Sequence, residues 1–463
     1  MAAPPSARPT NLRQSVYYLA GAALQGTGAL AVQPFSIRLL DAAEWGRVGV
    51  SIVLLQIGQV ILAAGLPLAV SRAYFEPRVG PAKARSIHGA NVIIGVGLAL
   101  LAAAGIAVFA PDRQSAASLA WATAATGFLS VVVSSQAMLR SQHRALAFVL
   151  LSGCSSLAAH LGGLIGILLF GASASTYLAA FTLVMGATAV VALVLARPAL
   201  PWRATTAVTS AFRLGLPVLP HSIAIMLLLQ GDTFLVQFFR GTGPAGHYVA
   251  AAAFALGPFA ILSGLNNVWT TRIFEAAHAG RLAESVATVA REAALTAAAI
   301  SLCGTAAATL GMLVLKGPDH DVAQLAKVLP GVAVGYALYL VGMSALFGAA
   351  RTRSLTWATP AVVVLAAVLA WWPAQSGAFW HLGGVRVLVF VILGAVYAAL
   401  ASREAALRIP WRPFAVGLAV AAVAIAGNLA LPTTPLAGAA TVAAGAALAL
   451  AFLWAWRRRG IAS

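Results

Sequence analysis

Apolar residues run through the chain in long blocks separated by short polar breaks. Fourteen blocks can be traced, at approximately 14–38, 48–71, 87–110, 116–139, 145–170, 175–196, 214–239, 246–270, 292–315, 328–350, 355–372, 383–402, 413–431 and 437–456. Each approaches the ~20 residues a helix needs to cross the hydrocarbon core. The pattern predicts an all-α polytopic membrane protein with about 14 transmembrane helices. Block 355–372 is the weakest, because Pro360 interrupts it and Trp371-Trp372-Pro373 ends it at what looks like an interfacial belt. The first block is too long for a signal peptide, contains Gln25 and Gln33, and is followed by another block, so it reads as a retained helix. No break is long enough for a folded extramembrane domain. The longest, around 271–291, carries Arg281 and Glu284 and predicts a short amphipathic helix on the membrane surface.

Composition narrows the class. Of 463 residues, 61% are hydrophobic and 9% charged, with a mean hydropathy of +0.91. Soluble globular proteins carry roughly 25% charged residues. An ordinary soluble enzyme and a disordered chain are therefore both excluded. The net charge of +18 arises from 29 Lys and Arg against 11 Asp and Glu. With the N-terminus placed in the cytoplasm, 22 of the 29 cations fall in inner segments; the other seven are Arg38, Arg47, Arg113, Arg240, Lys316, Lys327 and Arg386. That bias predicts both termini inside and accounts for the basic balance without nucleic acid. Cys154 and Cys303 lie in apolar stretches, outside any CxxC pair, and predict neither a disulfide nor a zinc site.

Two stretches resemble each other. Leu39 through Val48, an apolar block, then Ser71-Arg72-Ala73-Tyr74-Phe75-Glu76 parallel Phe239 through Tyr248, another block, then Thr271-Arg272-Ile273-Phe274-Glu275. Gly46 pairs with Gly246 and Arg72 with Arg272, an offset of about 200 residues. Six helices separate the halves, so both run in the same orientation. This predicts two parallel six-helix lobes, 1–197 and 198–402, related about the membrane normal around a central cavity. Residues 403–463 add two further helices and a basic tail.

Polar groups inside spans are costly and mark cavities or helix contacts. Asp232 is the only acid well inside a block. It reads either as a cavity acid for substrate or a coupling cation, or as the structural partner of an arginine in the other lobe. Gln25, Gln33, Gln56, Gln59, His221, Gln230 and Asn266 concentrate in blocks 1, 2, 7 and 8 and together read as the lining of one cavity. Arg38, Arg72 and Arg272 sit near block ends, where they either snorkel or offer forked donors to phosphate. His160 reads as a satisfied structural histidine, and no His or acid cluster has metal spacing.

Two motifs lead elsewhere. Gly241 through Gly246 matches GxGxxG but joins two spans, so it predicts a turn and no nucleotide site. No Walker A lysine motif occurs, and no cofactor is expected. Asp41 and Glu44 form an acidic pair in the first outer loop, a feature also found in membrane glycosyltransferases that use lipid-linked donors.

Residues 11–76 resemble the start of the polysaccharide (oligosaccharide) flippases of the multidrug/oligosaccharidyl-lipid/polysaccharide exporter superfamily. The shared features are Pro34, Arg38-Leu39-Leu40, Glu44-Trp45-Gly46, Gly65-Leu66 and Arg72-Ala73-Tyr74-Phe75-Glu76. The second half is similar through Gly215-Leu216-Pro217-Val218-Leu219-Pro220-His221-Ser222, Asp232, Gly246-His247-Tyr248, Trp269 and Arg272-Ile273-Phe274-Glu275. The resemblance covers roughly 11–350. It implies alternating access that carries a polyprenyl-diphosphate-linked oligosaccharide from the inner to the outer leaflet of the cytoplasmic membrane. On that resemblance Arg72, Arg272 and Arg38 attract diphosphate, the Gln, His and Asn set contacts sugars, and Asp232 couples an ion or gates the lobes. Pro34, Pro217 and Pro220 supply helix bends, and the last two spans form a groove for the lipid tail. The expected partners are the lipid-linked glycan, membrane lipids, a coupling cation, and polysaccharide polymerase and glycosyltransferases. Few charges lie deep in the cavity blocks, which sets the chain apart from carriers of strongly anionic glycans. Two other readings stand beside this one: a cation-coupled small-molecule exporter, and an integral-membrane glycosyltransferase using Asp41 and Glu44.

Overall fold

The computed structural model describes residues 12–76, 79–110, 112–314, 320–351, 353–431 and 434–460. Of the cations counted above, Arg8, Arg78 and Lys316 lie outside the described residues, as do the side chains of Arg13, Arg457, Arg458 and Arg459.

Every regular element among the described residues is helical. The stretch expected as the first lobe holds α1 (Leu12–Leu39), α2 (Ala42–Ala63), α3 (Leu66–Tyr74), α4 (Gly80–Phe109), α5 (Arg113–Ser141), α6 (Ala145–Gly153), α7 (Ala159–Phe170) and α8 (Ala174–Ala196). A linker helix, α9 (Thr205–Gly215), leads to the second lobe. That lobe holds α10 (Leu219–Gln230), α11 (Asp232–Arg240), α12 (Thr242–His278), α13 (Leu282–Val314), α14 (His320–Val328), α15 (Val332–Gly348), α16 (Leu355–Ser376) and α17 (Phe379–Ala405). The chain closes with α18 (Trp411–Ala430) and α19 (Pro435–Gly460), both packed on α13.

Twelve helical stretches among the described residues are long and apolar enough to cross a membrane. They coincide with blocks 2 to 13 of the sequence. The first block is α1, 28 residues long; the last is α19, whose described apolar run is Leu436–Leu448. Lipid is the natural environment of their outer faces, where Phe109, Phe170, Leu169 and Val423 stand 84%, 80%, 69% and 73% exposed. Such a continuous apolar surface has no place in water.

Breaks have local causes. Asp41 caps α2 by accepting the Glu44 backbone N–H at 2.7 Å, and Ser173 caps α8 by accepting that of Thr176 at 3.1 Å. Between α2 and α3 the chain passes through Ala64 and Gly65 with φ of 46° and 72°, a left-handed pair that ends one helix and opens the next. A π-turn at Cys154–Ala158 joins α6 to α7, and its Ser156 lies against Gly28 of α1. Pro217 and Pro220 fall at the 3₁₀ junction between α9 and α10, whereas Pro34 lies within continuous α1.

Three sequence expectations are corrected. Pro360 and Pro373 do not bound a short span, because α16 runs through both. Residues 271–291 do not form a separate surface helix; they are the abutting ends of α12 and α13, with a turn at residues 279–281. Arg386 and Lys327, expected in outer flanks, are buried at 4% and 1% exposure. Both helices begin before their apolar blocks, so these cations lie inside rather than at the edge. The Lys327 ammonium donates to the Asn428 and Leu431 carbonyls at 2.9 and 3.2 Å and thereby ties the C-terminal end of α18 to the second lobe.

The lobes meet along a seam where α1 and α2 face α10, α11 and α12. Glycines allow the approach. A Cβ on Gly46 would stand 1.9 Å from the Thr242 carbonyl oxygen, and one on Gly246 would stand 2.0 Å from that of Ala42. Farther along, Gly65 and Gly215 press backbone to backbone, with 2.5 Å between a Cβ at Gly65 and the Gly215 Cα.

Candidate functional site

The seam encloses a cavity of about 60 Å³. Gln33 of α1, Trp45 and Gln56 of α2, His160 of α7, Gln230 of α10, Thr233 of α11 and Arg386 of α17 supply its polar lining, with Val48, Val53, Leu229 and Leu256 among the apolar positions. Two glutamines join across the lobes: the Gln230 amide donates to the Gln56 carbonyl oxygen. Among the described residues, Gln33 Oε1, Trp45 Nε1 and Arg386 Nε are buried without a hydrogen-bond partner. Two donors and one acceptor therefore face one cavity with bonding capacity to spare. Buried polar atoms without partners call for an explanation, and a bound polar ligand supplies one here.

Arg386 is the charged element. Its Nε lies 3.8 Å from Asp232 Oδ2, within ion-pair range but too far for a hydrogen bond. Tyr248 bridges the two: its hydroxyl donates to Asp232 at 3.0 Å and accepts from Arg386 Nη1 at 3.5 Å. The guanidinium carbon lies 5.9 Å from the Phe259 ring centroid. Arg386 also borders a second cavity of about 250 Å³, shared with Asp232 and walled by α10, α11, α16 and α17 inside the second lobe. One guanidinium thus stands between the seam and the lobe interior. The partner of Asp232 is an arginine of its own lobe, not of the other.

The remaining predicted residues are placed as follows. Gln33, Gln56 and Gln230 line the seam cavity. Gln59 is half-buried on α2, off that cavity, and Gln25 is exposed on α1. His221 lies inside the second lobe, bonded to Thr359 at 2.9 Å, Tyr397 at 3.2 Å and Tyr339 at 3.3 Å, and so knits α10, α15, α16 and α17 together. Asn266 accepts from Ser344 at 3.2 Å in the same lobe. Arg272 pairs with Glu292 at 2.7 Å on the exposed ends of α12 and α13, and Arg38 is exposed at the end of α1. Arg72 lines a different pocket, beside α9. His160 combines both readings: it bonds the Tyr177 hydroxyl at 2.7 Å and also faces the cavity.

Sequence reasoning missed Trp45, Thr233 and Arg386 as cavity groups. Arg386 lies seven residues into α17, roughly 10 Å along its axis at 1.5 Å per residue. The apolar block 383–402 already contains Arg386, but only three residues from its start, where a cation reads as part of the outer flank.

The acidic pair has structural work. Asp41 caps α2; Glu44 pairs with Arg47 and accepts the Ala174 backbone N–H at 2.6 Å, capping α8. Among the described residues no three His, Cys, Asp or Glu side chains converge as metal ligands.

Residues 12–275 match the family described as polysaccharide biosynthesis protein, more than half the chain. The chain belongs to that family. No curated protein matches. Among solved structures it is similar to a MOP superfamily transporter from Pyrococcus furiosus whose binding pocket is described as reversed in polarity. The two share 16% identity and a TM-score of 0.57, over 90% of this chain and 96% of that one. It is also similar to a multidrug resistance MATE family transporter in an outward-facing conformation, at 14% identity and TM-score 0.58, over 90% and 96%. A eukaryotic MATE transporter gives 15% and 0.58, over 89% of this chain and all of that one. At such identities these structures establish the fold alone: this polysaccharide biosynthesis family member shares the all-helical fold of the MOP proteins, with twelve described helices long and apolar enough to cross a membrane.

Proposed function

We propose that this transporter moves a polyprenyl-diphosphate-linked oligosaccharide from the inner to the outer leaflet of the cytoplasmic membrane by alternating access, both termini lying inside. The observation that carries the reading is the polar lining of the seam cavity in a member of a polysaccharide biosynthesis family. Glutamines, a threonine, an indole N–H and one guanidinium are the groups that bind sugar hydroxyls and an attached anion. Their position between two lobes fits a site exposed alternately to each side. A cavity of about 60 Å³ is far smaller than a glycan, so the lobes must part to admit one. Outside the lobes, α13, α18 and α19 border an apolar cleft of about 840 Å³ suited to a prenyl chain. Polymerase and glycosyltransferases acting on the same glycan are the natural partners.

The test is complementation of a flippase-null strain by the wild-type chain and by Gln56→Leu/Trp45→Phe. Restored surface glycan with wild type, and at least tenfold less with the double variant at equal membrane levels, is the expected result. Equal restoration by both sinks the cavity assignment. Failure by wild type, together with drug efflux that depends on Asp232, favours a cation-coupled small-molecule exporter, the reading supported by Asp232 bordering its own cavity within the second lobe.

A further inference from the structure

A pocket of about 480 Å³ lies apart from the seam, between the first lobe and the linker helix. Arg72 of α3, Lys83 of α4 and Thr206, Ser210 and Arg213 of α9 line it, with Glu76 just beyond α3. The volume is in the range of small-ligand sites. Glu76 and Lys83 neutralise each other at 2.6 Å. Among the described residues Arg72 and Arg213 have no ion-pair or hydrogen-bond partner, so the pocket keeps an uncompensated charge of about two.

Its walls spring from one point. Gly65 opens α3 and Gly215 ends α9, and these two glycines touch. From that contact α3 leads away and α9 arrives, so the two helices run in opposite chain directions, each carrying one of the arginines. Buried Leu66, Val70 and Ala211, with half-buried Phe212, pack in one apolar cluster that holds the two helices together. Exposed apolar side chains neighbour the lining positions along the chain: Leu68 lies four residues before Arg72, Phe75 beside Glu76, Trp202 four residues before Thr206 and Leu216 three after Arg213, at 53%, 66%, 64% and 51% exposure. A free anion has no use for such a rim, whereas an amphiphile does.

We propose that this pocket binds the phosphate headgroup of an anionic membrane lipid between Arg72 and Arg213, and that its occupancy sets the linker α9 against the first lobe. Two guanidinium forks and the Thr206 and Ser210 hydroxyls match the oxygens of one phosphodiester. The exposed Leu68, Phe75 and Trp202 take the proximal acyl chains. Because α9 leads directly into α10, which carries Gln230 at the seam, the lipid acts on the relation between the lobes. The site is independent of what the seam cavity transports.

The experiment uses purified full-length protein in detergent. Thermal unfolding is followed during titration with dihexanoyl phosphatidylglycerol, dihexanoyl phosphatidylcholine or inorganic phosphate, and native mass spectrometry counts retained lipid. Saturable stabilisation by the glycerol lipid, stronger than by the choline lipid or by phosphate, is expected. Arg72→Gln/Arg213→Gln should weaken it about tenfold or more, as for loss of charge-assisted contacts. Arg203→Gln, outside the pocket, should leave it unchanged. If the double variant does not fold, each single variant is expected to show a partial weakening. Equal stabilisation by phosphate alone overturns the lipid assignment. Equal weakening by Arg203→Gln, or saturation by neither lipid, overturns the site.

Discussion

Gly46 and Gly246 meet through one contact taken in both directions: a side chain on either would strike the carbonyl oxygen of the residue four positions before the other. Such reciprocity is the mark of a twofold relation between two segments. It joins, on α2 and α12, the two positions that the 200-residue sequence match pairs. Small residues let the helices touch at the backbone, where membrane helices gain their packing energy.

Gly46→Val should prevent this closure. A Cβ 1.9 Å from the Thr242 oxygen cannot be relieved by a rotamer change, so the helices must separate. The variant is expected to insert normally yet expose the seam. In a background with Cys154 and Cys303 replaced by serine, a cysteine at Thr233 should react with maleimide at least several-fold faster. Unchanged labelling contradicts a tight glycine crossing.

Gln56 and Gln230 bond across the lobes, so their substitutions should be coupled. Each single leucine strands an amide in the seam; both together remove the pair. Interhelical hydrogen bonds in membranes are worth about 0.6 kcal/mol on average and up to roughly 2. A thermal-stability cycle should return a coupling of that order. Strict additivity counts against the bond.

Arg386→Met leaves the Asp232 carboxylate buried without its cation. Breaking one side of a buried pair costs roughly 3–5 kcal/mol, while replacing both partners is often neutral. Arg386→Met should therefore lower the melting temperature sharply. Arg386→Met/Asp232→Asn should recover most of it and still transport poorly, because the seam has lost its guanidinium. Recovery of transport along with stability would reduce the arginine to a structural partner.

Lys327→Met removes two hydrogen bonds to the end of α18. A buried carbonyl stripped of its donor costs about 1–3 kcal/mol. Stability should fall by several degrees, and proteolysis between α17 and α18 should quicken. An unchanged digestion pattern argues that α13 alone holds α18.

Much of the architecture was legible because bilayer crossing demands long apolar runs, and the Gly46–Gly246 match paired two positions that the structure brings into contact. The seam glutamines could be read because an amide within an apolar run has few other reasons to be there. The buried cations could not. Hydropathy marks where a run becomes apolar, not where a helix begins: α14 starts early enough to carry Lys327 inside, and Arg386, though within its apolar block, lies so near the start of that block that only the four earlier residues of α17 set it deep. The glutamines that fell elsewhere failed for a related reason: periodicity says which residues share a face, but not which neighbour that face meets, so Gln59 and Gln33 look alike until the lobes are joined. Arg72 and Arg272 match in sequence, yet only Arg272 has a carboxylate from the next helix within reach.

Gly46 near the start of α2 rests on α12 and Gly65 just past its end on the linker α9, both without an intervening side chain. Interlocking side chains at such points would act as teeth and hold one register. Bare backbone does not. At both ends of α2 the spacing to its neighbours is therefore set by main-chain atoms alone, and no residue larger than glycine at Gly46 or Gly65 can keep it.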